Sequence, residues 1–325
     1  MVKQSKKVLW VMNTQDKTGY FMSPALIWWY GILENMGYEV YYYSYENYNI
    51  EELYQQVKQN EIDYVIVGAY SIIHTELIRL REHTQVYVLQ SDDRWRYADF
   101  SKFWIPFVDG IITFEGEESN YISDGLKHEQ FNKMRWSFNP TTMATLEPLG
   151  KNVVPHLYTL THTGGIHGNR QDIINQFISK GIPVHVDQSL DYEMTKHIWN
   201  QSSYSLCVTN NSLNTGKELK GRVVEIPNWC VLLTEPFPDM EQYYDLDNEI
   251  VIFNSVDEAV EKINRMNVPP YTEMKRIKDN GKRRLWNSNT VYHAWNKILP
   301  NIDPDYKVLD PIQILKEKHG DYYYA

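Results

Sequence analysis

Residues 221–253, GRVVEIPNWCVLLTEPFPDMEQYYDLDNEIVIF, decide how the chain is read. The stretch predicts a short helix, a buried strand over 231–234, a loop, a helical turn over 239–244 and a second strand over 250–253. Glu225 falls on the helix leading into the first strand, behind Lys217, Lys220 and Arg222. A carboxylate accepts hydrogen bonds from ribose hydroxyls, and cations beside free helix-start amides hold a diphosphate. The combination points to a nucleotide-sugar site. The plainer reading is an ordinary αβ unit with a surface acid.

Working outward, the same alternation runs through both halves. Before this stretch come a strand over 157–161, a helix over 169–180, a strand over 183–186, a helix over 192–201 and a strand over 204–208. After it come helices over 258–265 and 271–299, broken apart by Pro269-Pro270. The first half shows strands over 7–13, 39–43, 64–67, 86–90 and 111–114. Helices fall between them over 23–36, stopped by Gly37, and over 50–59, 75–82 and 117–126. Alternation at this spacing predicts α/β architecture with doubly wound parallel sheets. Such sheets bind ligands beyond the carboxyl ends of their strands. In the first half that directs attention to residues 14–20, 69–74 and 91–97. The pattern lapses over 140–154, which reads as a linker. The expected domains are therefore 1–150, 151–299 and a tail over 300–325.

Length and composition agree. A chain of 325 residues suits two domains, and 42% hydrophobic with 23% charged residues is ordinary for a globular protein. The 25 tyrosines suit wet clefts, although biased coding gives the same excess. The formal charge is −10, and residues 1–150 carry 13 Lys and Arg against 20 Asp and Glu. A sequence-independent nucleic-acid binder shows a basic face, which this balance argues against. Cys207 and Cys230 lack CxxC spacing and read as reduced core residues. No apolar run is long enough for a membrane span and the N-terminal segment lacks a signal-peptide pattern, so the expected location is the cytoplasm.

Three clusters carry candidate chemistry. THTGGIHGNRQD, residues 161–172, places Gly164, Gly165 and Gly168 before a helix whose first turn holds Arg170. Glycines let backbone approach a phosphate, and arginine adds a forked cation; a simple tight turn is the alternative. TNNSLNTGKELKGR, residues 209–222, is polar and cationic at the expected end of a strand, or else a solvated loop. DDRWRY, residues 92–97, brings Asp92 and Asp93 to another strand end, where they serve as base, metal ligands or sugar-hydroxyl acceptors, or pair with Arg94 and Arg96. His74 lies at a third strand end. The ten histidines show no metal-binding spacing, so no metal and no cofactor is expected. The run KRIKDNGKRR, residues 275–284, reads as a nucleic-acid contact or as the wet face of an amphipathic helix.

Residues 221–244, then EIVIFNSVDEAVEKI and RIKDNGKRRLWNSNTVYHAWNKIL, resemble the C-terminal region of CgeB-like (spore-maturation type) glycosyltransferases of the GT-B fold. QSDDRW, VDGIITFE and WSFNP extend the resemblance more loosely into the first half. It implies two Rossmann-like domains facing across a cleft, the second holding a nucleoside diphosphate sugar as co-substrate. It implies that Glu225 holds the donor ribose, that Arg170, Lys220 and Arg222 meet the diphosphate, and that Glu241 matches a helix-start acid to which no role is assigned. The wider retaining group places another acid eight residues before the ribose acid. Here that position is Lys217, with Glu218 beside it, a departure that bears on stereochemistry and on how the sugar is held.

The resulting expectation is transfer of a sugar, from a UDP-sugar before other donors, to an acceptor between the domains. The donor residues are Gly164, Gly165, Arg170, Lys217, Lys220, Arg222, Glu225 and Glu241, and the catalytic, acceptor-side residues are Asp92, Asp93 and His74. Glycan, small-molecule, protein and modified-DNA acceptors all remain open. The alternatives are a phage-type DNA glycosyltransferase acting on hydroxymethylated bases, a non-catalytic nucleotide- or sugar-binding protein, and nucleotide-sugar epimerisation.

Overall fold

The computed structural model describes residues 5–12, 32–44, 48–68, 74–90, 96–140, 157–188, 192–210, 216–217 and 219–320. The chain divides into two compact units, Met1–Trp136 with Val291–Glu317, and Ser137–Thr290 with Lys318–Ala325.

The first unit is built on six parallel strands: β1 (Lys7–Met12), β2 (Glu39–Ser44), β3 (Tyr64–Gly68), β4 (Gln85–Gln90), β5 (Gly110–Thr113) and β6 (Phe131–Lys133). Their order is β2-β1-β3-β4-β5-β6. β3 is buried along its whole length, as its unbroken apolar run requires, whereas β2 at the sheet edge is only half buried. The helix Ile50–Gln59 starts at Asn49, whose side chain accepts from the amides of Glu51 and Glu52. Its Leu53 and Val57, four apart, are buried in a core shared with Val65, Val67, Val86 and Ile111. Gly37 ends the preceding helical turn in the left-handed region, φ +95°.

The second unit repeats the plan with β7 (Tyr158–Thr163), β8 (Val184–Asp187), β9 (Ser202–Cys207), β10 (Val231–Thr234) and β11 (Val251–Ile252) in the order β11-β10-β9-β7-β8. All pairings are parallel. Leu160, Leu206 and Leu233 of the sheet pack with Ile174 and Phe177 from the helix Arg170–Ser179 and Ile277 from the helix Thr272–Ser288. Gly281 allows that last helix a close approach, since a Cβ there would stand 2.4 Å from the carbonyl of Glu249. β8 lies on one side of β7 and β9 on the other. The carboxyl ends of β7 and β9 therefore flank the point where strand order reverses, the place such sheets reserve for ligands.

The expected α/β architecture with two doubly wound parallel sheets is what the structure shows. Some elements differ. The helix expected over 271–299 is two helices, Thr272–Ser288 and Val291–Ile302, and the second sits in the first unit, with Trp295 edge-on to Trp10 at 6.0 Å. The short helix before β10 is a pair of 3-10 turns, Gly221–Val224 and Ile226–Asn228, because Pro227 lacks the amide an α-helix needs. The helix expected over 75–82 is a 3-10 turn, His74–Glu76, followed by Leu77–Leu80. β6, the 3-10 segment Ser101–Phe107 and the helix Pro311–His319 were not anticipated. The helix expected over 23–36, the linker over 140–154 and residues 14–20 fall largely or wholly outside the described residues.

Candidate active site

β7 ends at Thr163, two residues beyond the strand expected from sequence, so His162 belongs to the strand and is wholly buried. Its Nδ1 lies 3.3 Å from the carbonyl of Leu206 on β9, and among the described residues its Nε2 has no hydrogen-bond partner. Burial first, then the nearby cation of Arg222, pushes His162 down to about 4, so the ring is neutral near pH 7.

The chain turns at Gly164, φ +89°, whose amide donates to the carbonyl of Asp187 at 2.7 Å. A Cβ on Gly164 would stand 2.4 Å from Nη2 of Arg222, so the glycine makes room for that guanidinium. Gly165 in the same way makes room for the ring of His167. Among the described residues the Arg222 guanidinium has no hydrogen-bond or ion-pair partner.

Arg170, first residue of the helix Arg170–Ser179, is 5% exposed and turned inward. Its Nη1 donates to the carbonyl of Gly165 at 2.7 Å and its Nη2 to that of Asn210 at 3.4 Å, which ties the loop after β7 to the loop after β9. Its buried Nε has no hydrogen-bond partner among the described residues. Burial and the charge of Arg222 make its protonated form harder to hold. Arg170, Lys220 and Arg222 all act electrostatically on the thiol of Cys207 at the end of β9; burial pushes that thiol up and the three cations oppose the push. Three positive charges and the opposing carboxylate of Glu235 thus lie within electrostatic reach of the end of β9, beside the β7–β9 reversal point. The other cysteine, Cys230, is buried elsewhere in the unit and raised to about 12 by burial.

The remaining donor-side residues spread around this centre. Lys217 pairs with Glu235, Nζ to Oε1 at 2.9 Å. Glu225 is 7% exposed at the junction of the two 3-10 turns, three residues after Arg222. Glu241 is exposed on the first turn of the helix Met240–Tyr243 and has no hydrogen-bond partner among the described residues. His74 opens a 3-10 turn in the first unit, while Asp92, Asp93 and Glu218 lie outside the described residues.

Two residues of this region were missed from sequence. Glu235 directly follows β10 in the pair Thr234-Glu235, and a carboxylate at a strand's end is its signal in the sequence. His162 lies one residue past the strand expected over 157–161 and so carries no strand signal of its own. In the basic run 275–284, Lys275, Arg276 and Arg283 are exposed; Arg276 donates to Asn248 at 3.0 Å, Arg284 donates to Glu249 at 2.9 Å, and burial lowers the pKa of Lys278. Among the described residues no group of three His, Cys, Asp or Glu is placed to hold a metal, and no helix is long and apolar enough to cross a membrane.

Residues 144–300 match a family model described as glycosyl transferase-like. A comparison with curated protein sequences gives no match. Among solved structures, HepE of Anabaena in complex with UDP-glucose is similar at 10% identity over 92% of this chain and 99% of that one, with a TM-score of 0.61. An alpha-glucosyltransferase in complex with UDP-glucose and DNA containing an abasic site reaches 0.64 at 11% identity, over 90% of this chain and 98% of that one. The UDP-GlcNAc 2-epimerase of Neisseria meningitidis bound to UDP-GlcNAc reaches 0.52 at 12% identity, over 92% and 100%. The fold is that of the GT-B enzymes. The glycosyl transferase-like match over 144–300 takes in just under half of the chain.

Proposed function

We propose that this chain is a glycosyltransferase of the CgeB-like type that moves a sugar from a nucleoside diphosphate sugar, a UDP-sugar, to a hydroxyl acceptor. The observation that carries the donor reading is the convergence of Arg170, Lys220 and Arg222 at the β7–β9 reversal point, with the guanidinium of Arg222 laid over Gly164. HepE and the alpha-glucosyltransferase, both solved with UDP-glucose, support the choice of donor.

In the proposed reaction the bond between the anomeric carbon and the β-phosphate oxygen breaks, and the acceptor oxygen bonds to that carbon. The acceptor proton passes to a base, and the electron pair leaves with the nucleoside diphosphate. Cations already in place stabilise that developing charge without reorganising. Arg222 and Lys220 face the diphosphate. Arg170 supports them from behind, because both of its terminal nitrogens are committed to carbonyls of the chain. Glu225 accepts from the ribose. Asp92, Asp93 and His74 stand as the acceptor-side groups, with one of the carboxylates as base.

A thermal-shift panel of UDP, GDP, ADP and TDP compounds tests the donor. A ligand at a hundredfold excess over its Kd stabilises a protein by about 2.7 kcal/mol. UDP and at least one UDP-sugar are expected to raise Tm, and silence across the panel overturns the reading. A modified-DNA acceptor draws support from the alpha-glucosyltransferase crystallised with DNA. Against it stand the burial of Lys278 and the pairing of Arg284 with Glu249 in the basic helix. Salt-sensitive binding to a hydroxymethylated duplex would restore it.

A further inference from the structure

We propose that Glu235 is a positioning residue of the donor site, holding the neck of the loop after β9 so that the cations around it meet a nucleoside diphosphate in register. The proposal rests on the donor reading above. Glu235 follows the last residue of β10, and its side chain is 14% exposed. Its two oxygens are divided between partners: Oε1 receives Lys217 Nζ at 2.9 Å, and Oε2 accepts from the amide of Thr209 at 3.1 Å. The hydroxyl of Thr209 donates to the carbonyl of Pro236 at 3.0 Å, a second tie between the same segments. Asn210 and Lys217 close the neck as an antiparallel bridge. From the opposite side Arg170 reaches the carbonyl of Asn210.

Two consecutive residues, Thr209 and Asn210, are therefore gripped by a carboxylate just past the end of β10 and a guanidinium from the first residue of the helix after β7. Lys220 and Arg222 follow Lys217 by three and five residues, so the neck is the near anchor of the cationic segment. Charge-assisted bonds of this kind hold geometry more firmly than neutral ones.

Removing Glu235 has opposite consequences under two roles. As a mere negative charge beside an anion site it opposes diphosphate binding, so its loss tightens UDP. As a positioning residue it supports binding, so its loss weakens UDP. Isothermal titration of UDP into the full-length protein and into Glu235→Ala and Glu235→Gln decides between them, with the unliganded Tm recorded for each. We expect Ala to weaken UDP by about tenfold, the loss of one charge-assisted contact. Gln is expected to weaken it less, because its amide oxygen still accepts from Thr209. If Ala does not fold, Gln alone carries the test. A folded variant that binds UDP as tightly as the wild type, or more tightly, overturns the proposal. A wild type silent to UDP and UDP-glucose overturns the donor reading, and this proposal with it.

Discussion

The guanidinium of Arg222 occupies the space that a side chain at residue 164 would need, with Nη2 only 2.4 Å from where a Gly164 Cβ would stand. Gly164 also sits at φ +89°, a backbone region that favours glycine. Gly164→Ala is therefore expected to cost about 1–2 kcal/mol of stability from backbone strain. It also displaces Arg222 and weakens UDP. Urea unfolding and UDP titration on the same protein check both effects, and an alanine variant with wild-type UDP affinity refutes the placement of Arg222.

Arg170 and Arg222 are expected to separate in their effects. Arg170 spends its terminal nitrogens on Gly165 and Asn210, so Arg170→Ala leaves two loops untied and costs roughly 2 kcal/mol of stability. Arg222 has no such ties, so Arg222→Ala leaves Tm nearly unchanged and weakens UDP by about tenfold or more. Equal loss of Tm in the two variants contradicts this division.

Glu225 is assigned to ribose, whereas the cations are assigned to phosphate. Glu225→Ala is accordingly expected to weaken UDP while leaving inorganic pyrophosphate binding as it was. Competition titrations with the two ligands check the split. Parallel losses for both would remove Glu225 from the ribose.

His162 gives the fold an acid-sensitive limb. In the unfolded chain histidine takes up a proton near 6.5, but the folded ring does not do so until about 4. The unfolded state thus binds more protons between these values. The stability held above pH 6.5 falls away as pH drops to 4, by a contribution on the order of 3 kcal/mol. His162→Gln is expected to flatten the Tm-against-pH curve over that window. An unchanged slope there assigns the acid limb to other groups.

Much of the fold is legible in the residues because strand and helix patterns are local. The strand over 231–234 and the helix over 50–59 occur at their expected bounds, since a buried apolar run and a capped amphipathic run each carry their own punctuation. The division at Asn289 and Thr290 was not legible. Thr290 is fully buried and the Asn289 side chain donates to the carbonyl of Tyr243 at 3.0 Å, so the helix is interrupted by contacts far away in the chain.

At the site, the charges themselves are legible in the residues: glycines before Arg170, and Lys217, Lys220, Arg222 and Glu225 ahead of a buried strand. Only the tertiary structure decided what each charge faces. Arg170 turns inward because the carbonyls of Gly165 and Asn210 come from the ends of two strands that are neighbours in the sheet but more than forty residues apart in sequence. Lys217 is neutralised because β10 delivers Glu235 beside β9. Strand order is set by which hydrophobic faces pack together across the whole unit, and no local spacing encodes it.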